Sequence, residues 1–191
     1  MKLGSHNSWS YLTPKKWWKR PFAFLARCQD DDIQAQYLLH GVRCFDLHLK
    51  FKGIDPIVVH NKMEYKITEQ ELLEQIKWLD NKGDVAIRVL LDVRTKKAYT
   101  PEQVEQFINY CALLEKYLIN IKFWCGRNLY NYNVNYEFAY KPTCEEVYSS
   151  VCNPMFIDDW YPRHFARYHN HDIITAGTTK DYLLIDFVNY K

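Results

Sequence analysis

Three of the histidines in this 191-residue chain, His6, His48 and His60, fall at the ends of stretches that read as β-strands. Imidazole titrates near neutral pH, so one side chain can both take up and release a proton. Residues 1–5 form a strand that runs into His6, residues 42–50 carry His48 late in a second, and residues 56–60 end on His60. Residues two apart on a strand share a face, so Asp46 points with His48, and Asp92 points with Arg94 on a strand over 85–94. With Asn7 beside His6, one rim gathers His6, Asn7, Asp46, His48, His60, Asp92 and Arg94. A single histidine in apolar surroundings is usually a satisfied core residue. Three of them, interleaved with carboxylates and a guanidinium at strand ends, read as a catalytic site.

The elements that must position these groups alternate in type. Further strands are expected at 120–125, 154–158, 172–176 and 182–188, and helices near 30–40, 68–81, 101–118, 142–151 and 162–169. Thr68 with Glu71 three residues on is a capping box, and Thr100-Pro101 places a proline in the first turn of the next helix. Eight strands with crossover helices predict an α/β fold, an irregular, trimmed TIM (β/α)8 barrel with its chemistry at the C-terminal strand ends. The trimming follows from length, since such barrels rarely fall below about 200 residues, and from the connection Phe51 to Asp55, too short for a helix. An open doubly wound sheet is the alternative. One domain over 1–191 is expected, and the opening almost on the first motif leaves room for sequence upstream.

Other features bound the function. A net charge of +2 without a Lys/Arg stripe argues against a nucleic-acid partner. The six cysteines form no CxxC pair or zinc-like spacing and are expected as free thiols. The start lacks the apolar core of a signal peptide and no run is long enough to span a bilayer, which favours a cytoplasmic or peripheral-membrane monomer. Between Lys15 and Phe24 lies an aromatic and basic stretch that includes Trp17, Trp18, Lys19 and Arg20. Trp belongs at membrane interfaces and basic residues are drawn to anionic lipid, so Trp17 and Trp18 are expected to contact a membrane; the alternative is that they cap the barrel core. His164, His169 and His171 fit no ligand spacing and are expected at the surface.

The sequence also resembles a family. Leu3-Gly4-Ser5-His6-Asn7-Ser8 is similar to the opening motif of the phosphatidylinositol-specific phospholipase C X domain. Gln29, Ile33, Gln36-Tyr37-Leu38-Leu39 and Gly41-Val42-Arg43-Cys44-Phe45-Asp46-Leu47-His48 match its second block, and Pro56-Ile57-Val58-Val59-His60 its third. Order and spacing agree over residues 3–60; beyond, the likeness rests on Leu91-Asp92-Val93-Arg94, Ile157-Asp158-Asp159-Trp160-Tyr161 and Leu184-Ile185-Asp186-Phe187. The resemblance implies cleavage of phosphatidylinositol-type lipid to diacylglycerol and a cyclic inositol phosphate, with His6 as base, His60 as acid and Asp186 orienting the base. It places Asp46 and Arg94 in the catalytic set, and Asn7, Arg43, His48, Asp92, Arg127, Asp159 and Tyr161 at the substrate. Animal members hold calcium at four rim positions that here read Asn7, Asp46, His48 and Arg94. Calcium takes about six to eight oxygen ligands, so a histidine and an arginine there imply a metal-independent enzyme with no cofactor. Two alternatives follow from His48: a divalent site on His6, Asp46, His48 and His60, as in the related glycerophosphodiester phosphodiesterases, or a non-catalytic lipid-binding protein.

Overall fold

A computed structural model describes residues 1–60, 62–92, 100–125, 136–147 and 162–190. Six parallel strands make the body of one curled sheet, in the order β7 (Cys144–Val147), β8 (Tyr182–Ile185), β1 (Lys2–Ser5), β2 (Cys44–Lys52), β5 (Ala86–Leu91) and β6 (Lys122–Cys125). The far half of β2 carries an antiparallel hairpin, β3 (Asp55–His60) and β4 (Met63–Glu64). Gly53, at φ +64, turns the chain between β2 and β3. The expected third strand is therefore present but antiparallel, because five residues cannot make a parallel crossover. Its return brings His60 back down to the level of His48.

Among the described residues four α-helices pack around the sheet: α1 (Ile33–Leu38), α2 (Glu69–Asp80), α3 (Pro101–Tyr117) and α4 (Pro162–Ala176). Local chemistry starts three of them, with Asp32, Thr68 and Thr100 as N-caps, and the expected Thr68/Glu71 capping box is formed. Leu72, Ile76 and Leu79 of α2 and Phe107, Cys111 and Leu114 of α3 recur at helical spacing and bury against Phe45, Leu47, Leu49, Ile87, Val89 and Leu91 of the sheet. The five described cysteines are free.

Two expected elements are corrected. Residues 144–147, read as helix, form β7, since pairing with β8 overrides the helix preference of its glutamates. Residues 172–176, read as strand, complete α4, which runs to Ala176 and stops at Gly177, at φ +67. The strand expected at 154–158 lies outside the described residues. Among those residues no pairing joins β6 to β7, and the described strands form a curled, trimmed half-barrel.

Gly4 fixes how closely β1 sits between β2 and β8. A Cβ there would lie 3.1 Å from Leu184 Cγ and 3.2 Å from both Cys44 Cβ and the Cys44 carbonyl oxygen. Gly4→Ala is expected to destabilise by about 1–3 kcal/mol through overpacking, and to spread the strands that carry His6 and Asp186. Thermal melting checks this; an unchanged melting temperature would show that the strands separate at no cost.

Candidate active site

Strand register builds the site in layers. Partnered residues share a face, so Gly4, Cys44, Ala86 and Leu184 line the inner surface together, with Tyr182 and Trp124 completing an apolar floor. Two residues further along their strands stand His6, Asp46, Arg88 and Asp186, and beyond them His48 and Asp92.

Asp46 is fully buried and its carboxylate is matched by four donors. Arg88 grips it in a fork, Nε at 2.7 Å from Oδ1 and Nη2 at 2.9 Å from Oδ2. The Asn7 backbone N–H donates to Oδ2 at 3.0 Å and His48 Nε2 donates to it at 2.8 Å. Burial opposes ionisation of Asp46, but Arg88 and then His48 outweigh it and hold the carboxyl well below its usual range. Arg88 also bonds Glu146 of β7.

His48 is bonded at both nitrogens, Nε2 to Asp46 and Nδ1 to Asp92 at 3.0 Å. Ionised carboxylates only accept, so both nitrogens carry hydrogen and the ring is an imidazolium. Burial would lower its pKa; the two carboxylates, Asp46 foremost, outweigh burial and raise it to about 10.

His6 stands just past β1, its Nδ1 2.8 Å from Asp186 Oδ1. This contact makes Nδ1 the donor to the carboxylate and fixes the orientation of the ring. The two strand ends are clamped by Gln29, whose amide nitrogen donates to the carbonyls of His6 and Ile185, each at 3.0 Å. Gln29 Oε1 accepts from the Val188 N–H at 3.1 Å. Asn7 and Phe187, the residues directly after His6 and Asp186, both take φ +46, a left-handed turn that re-aims the chain at the rim. Both amide atoms of the Asn7 side chain are buried without a protein hydrogen-bond partner.

His60 donates from Nδ1 to the Ala26 carbonyl at 2.7 Å, and Cys28 Sγ lies 3.8 Å away. Burial, with His6 and His48 nearby, pushes its pKa down to about 4, so its resting form is neutral. The three rings are almost equidistant, with centroids 6.0 Å (His6–His48), 5.8 Å (His6–His60) and 6.0 Å (His48–His60) apart. Such a triangle can surround one small tetrahedral group with proton-carrying nitrogens.

The structure thus brings together His6, Asn7, Asp46, His48, His60, Asp92 and Asp186. Arg43 is a correction. It lies before β2, at the opposite end of that strand from His48, where it bonds Asp84 at 2.7 Å and stacks on Tyr37, so it supports the fold rather than a substrate. Arg94, Arg127, Asp159 and Tyr161 lie outside the described residues. Trp17 and Trp18, in a 3-10 helix over Trp17–Leu25, are 76 % and 52 % exposed, which removes the core-cap alternative. His169 and His171 are exposed and His164 is half-buried. Sequence reasoning missed Arg88, which shares its face with Asp92 by the same two-residue rule, and Glu146, concealed by the helical reading of its segment.

As to a metal, His6, Asp46 and His48 offer ligand atoms within 4.8 Å of one another. The donor set does not fit calcium as it stands: both Asp46 oxygens are taken by Arg88, and His48 has no lone pair while it bridges two carboxylates.

The imidazolium makes a pH prediction. The folded pKa of His48, about 10, lies above the ordinary 6.5, so the stability it confers is full below pH 6.5 and is lost as pH rises toward 10. His48→Gln should melt at lower temperature than wild type at pH 6.5, and the gap should close toward pH 10. Two melting curves that stay parallel across that window would show that His48 is not charged in the native state.

No protein-family model and no curated protein sequence matches the chain. Solved structures do. Phosphatidylinositol-specific phospholipase C from Listeria monocytogenes aligns over 97% of this chain and 87% of its own, with 14% identity and a TM-score of 0.64. A double mutant of the Staphylococcus aureus enzyme aligns over 100% and 86%, with 15% identity and a TM-score of 0.62. A structure titled for the modulation of the S. aureus enzyme's membrane binding gives 15% and 0.61 over the same shares. The chain has the fold of the bacterial phosphatidylinositol-specific phospholipases C, in a trimmed form.

Proposed function

We propose that the chain is a metal-independent phosphodiesterase that cleaves a phosphatidylinositol-type lipid at a membrane surface. The observation that carries this reading is the triangle of imidazoles around one small volume, with His6 bonded to Asp186, His48 held between two carboxylates and His60 on a backbone carbonyl. His6 takes the proton of the inositol 2-hydroxyl as that oxygen attacks phosphorus, and Asp186 stabilises the imidazolium formed. The bond from phosphorus to the glycerol oxygen breaks, and His60 gives that oxygen its proton. The products are diacylglycerol and a cyclic phosphodiester. To act as acid, His60 must bind a proton as substrate arrives; the negative phosphodiester supplies the reason, since it opposes the burial and neighbouring imidazoles that depress the free ring. The unpartnered Asn7 amide offers a donor to a phosphate oxygen.

Membrane contact rests on the segment after β1. Trp17, Trp18, Phe22, Phe24 and Leu25 are all exposed, and Lys16 and Lys19 lie 5.8 and 5.4 Å from the Trp18 ring centre. An exposed aromatic patch with basic residues among it suits an interface of headgroups and acyl chains. Among the described residues no helix is long and apolar enough to cross a membrane.

Two experiments test this reading. With phosphatidylinositol vesicles and chelator, wild type should form inositol cyclic phosphate, and His6→Ala and His60→Ala should each lose at least about 10²-fold in turnover. Turnover abolished by chelator and restored by a divalent ion would favour His6, Asp46 and His48 as metal ligands instead. Trp17→Ala/Trp18→Ala should weaken vesicle binding and slow bilayer cleavage, with a soluble cyclic inositol phosphate hydrolysed at nearly the original rate and the melting temperature unchanged. Equal losses on both substrates would place the tryptophans in the catalytic machinery rather than at the membrane.

A further inference from the structure

Beside the catalytic cluster lies a second feature that the proposed reaction does not use. A cleft of about 560 Å³ opens between the 3-10 segment and the start of α4, and four arginines line it: Arg20, Arg27, Arg163 and Arg167. Phe24 and Phe187 supply its apolar wall. The charge is poorly compensated. Asp30 bonds Arg163 and lies 3.9 Å from Arg27, and it is the one carboxylate paired with these arginines among the described residues. Arg20 and Arg167 have no carboxylate partner there. Arg27 Nε is buried with no hydrogen-bond acceptor, a costly state for a charged donor unless a ligand relieves it. Two guanidiniums are held by their faces, Arg163 5.2 Å over Phe187 and Arg167 5.4 Å over Tyr190. Stacking of this kind fixes a guanidinium while its edge N–H groups remain suited to paired oxygens.

The cleft is a neighbour of the active site and separate from it. Ala26 accepts the His60 hydrogen bond and Arg27 follows it in the chain; Asp186 orients His6 and Phe187 follows that. None of the catalytic side chains lines it.

We propose that this cleft binds a second phosphate group, distinct from the phosphodiester that is cut, carried either on an anionic phospholipid headgroup or on a soluble phosphate ester. Clustered guanidiniums recognise phosphate through forked, charge-assisted hydrogen bonds, and Phe24 and Phe187 suit the organic part attached to it. Binding here needs no turnover, so it is measured apart from catalysis.

The test uses the full chain with two probes: glycerol 3-phosphate, by calorimetry, and phosphatidylcholine vesicles with or without phosphatidic acid, by sedimentation. Arg163→Gln/Arg167→Gln removes two exposed charges of the cleft, and Lys52→Gln/Lys116→Gln removes two exposed charges elsewhere. The cleft variant should bind about tenfold or more weakly, given the several-fold contribution of each basic residue near an anion, and the control pair should bind as wild type. Loss on both probes identifies the phosphate itself as the ligand from either source; loss on phosphatidic acid vesicles alone identifies the lipid headgroup. Either result supports the cleft. No binding of either probe by wild type, unchanged binding by the cleft variant, or an equal loss in the control pair would overturn it. Where Arg163→Gln lowers the melting temperature by releasing Asp30, Arg167→Gln alone gives the same comparison.

Discussion

A carboxylate with no exposure to water must find its donors within the protein, and Asp46 finds them on three separate strands' worth of chain. Arg88 comes from β5, the Asn7 N–H from the turn after β1, and His48 from Asp46's own strand. Removal of any one would leave buried charge without its counterpart, a far larger loss than the net worth of an intact pair. The constraint therefore acts on geometry more than on stability. It ties β1 and β5 to β2 at one level, sets the left-handed turn at Asn7, and aims His48 across the site toward Asp92. Arg88 extends the tie to β7 through Glu146.

The same constraint explains why three imidazoles a few ångströms apart can behave differently. His48 meets carboxylates at both nitrogens and stays protonated to about pH 10. His60 meets a backbone carbonyl and two other imidazoles, is buried, and stays neutral down to about pH 4. His6 meets one carboxylate, Asp186. Partner chemistry alone thus raises the pKa of one imidazole, His48, and, with burial, lowers that of another, His60. The charge on His48 also shapes its neighbours, since it helps to lower the pKa of His60.

Legibility in the sequence followed the physics of each signal. Strand ends and the two-residue repeat are local and strong, so His6, Asn7, Asp46, His48, His60 and Asp92 could be placed on one rim, while Asp186 came from the family resemblance, and the α/β class was readable from alternating elements. Signals that depend on partners distant in sequence were weaker. β7 reads as helix because glutamate favours helix, and only its pairing with β8 reverses that. Residues 172–176 look like strand because Ile173 and Ile174 are β-branched, yet they pack on the core from the last turn of α4. Arg43 sits within the motif that resembles the phospholipases, but its partner Asp84 lies 41 residues away and at the other end of the strand. Gln29 and Gln36 were visible as motif residues without a role; the structure makes both into backbone clamps, Gln36 donating to the Ser8 carbonyl at 2.9 Å.

The distribution of these ties shows how one arc of the sheet holds the candidate site together. The described residues of the candidate site ride on β1, β2, β5, β8 and the β3 return, strands that are contiguous in the sheet. Their orienting bonds run between near neighbours: Asp186 to His6 across β8 and β1, Asp46 to Arg88 across β2 and β5, Asp92 to His48 across the same pair. The antiparallel return of β3 adds the third histidine from above β2, so it needs no further parallel strand. Among the described residues Glu146 reaches in from the edge, and it touches Arg88 rather than the imidazoles. Among the described residues the demand for exact register falls on one arc of the sheet, where the buried Asp46 carboxylate ties β1, β2 and β5 together at one level.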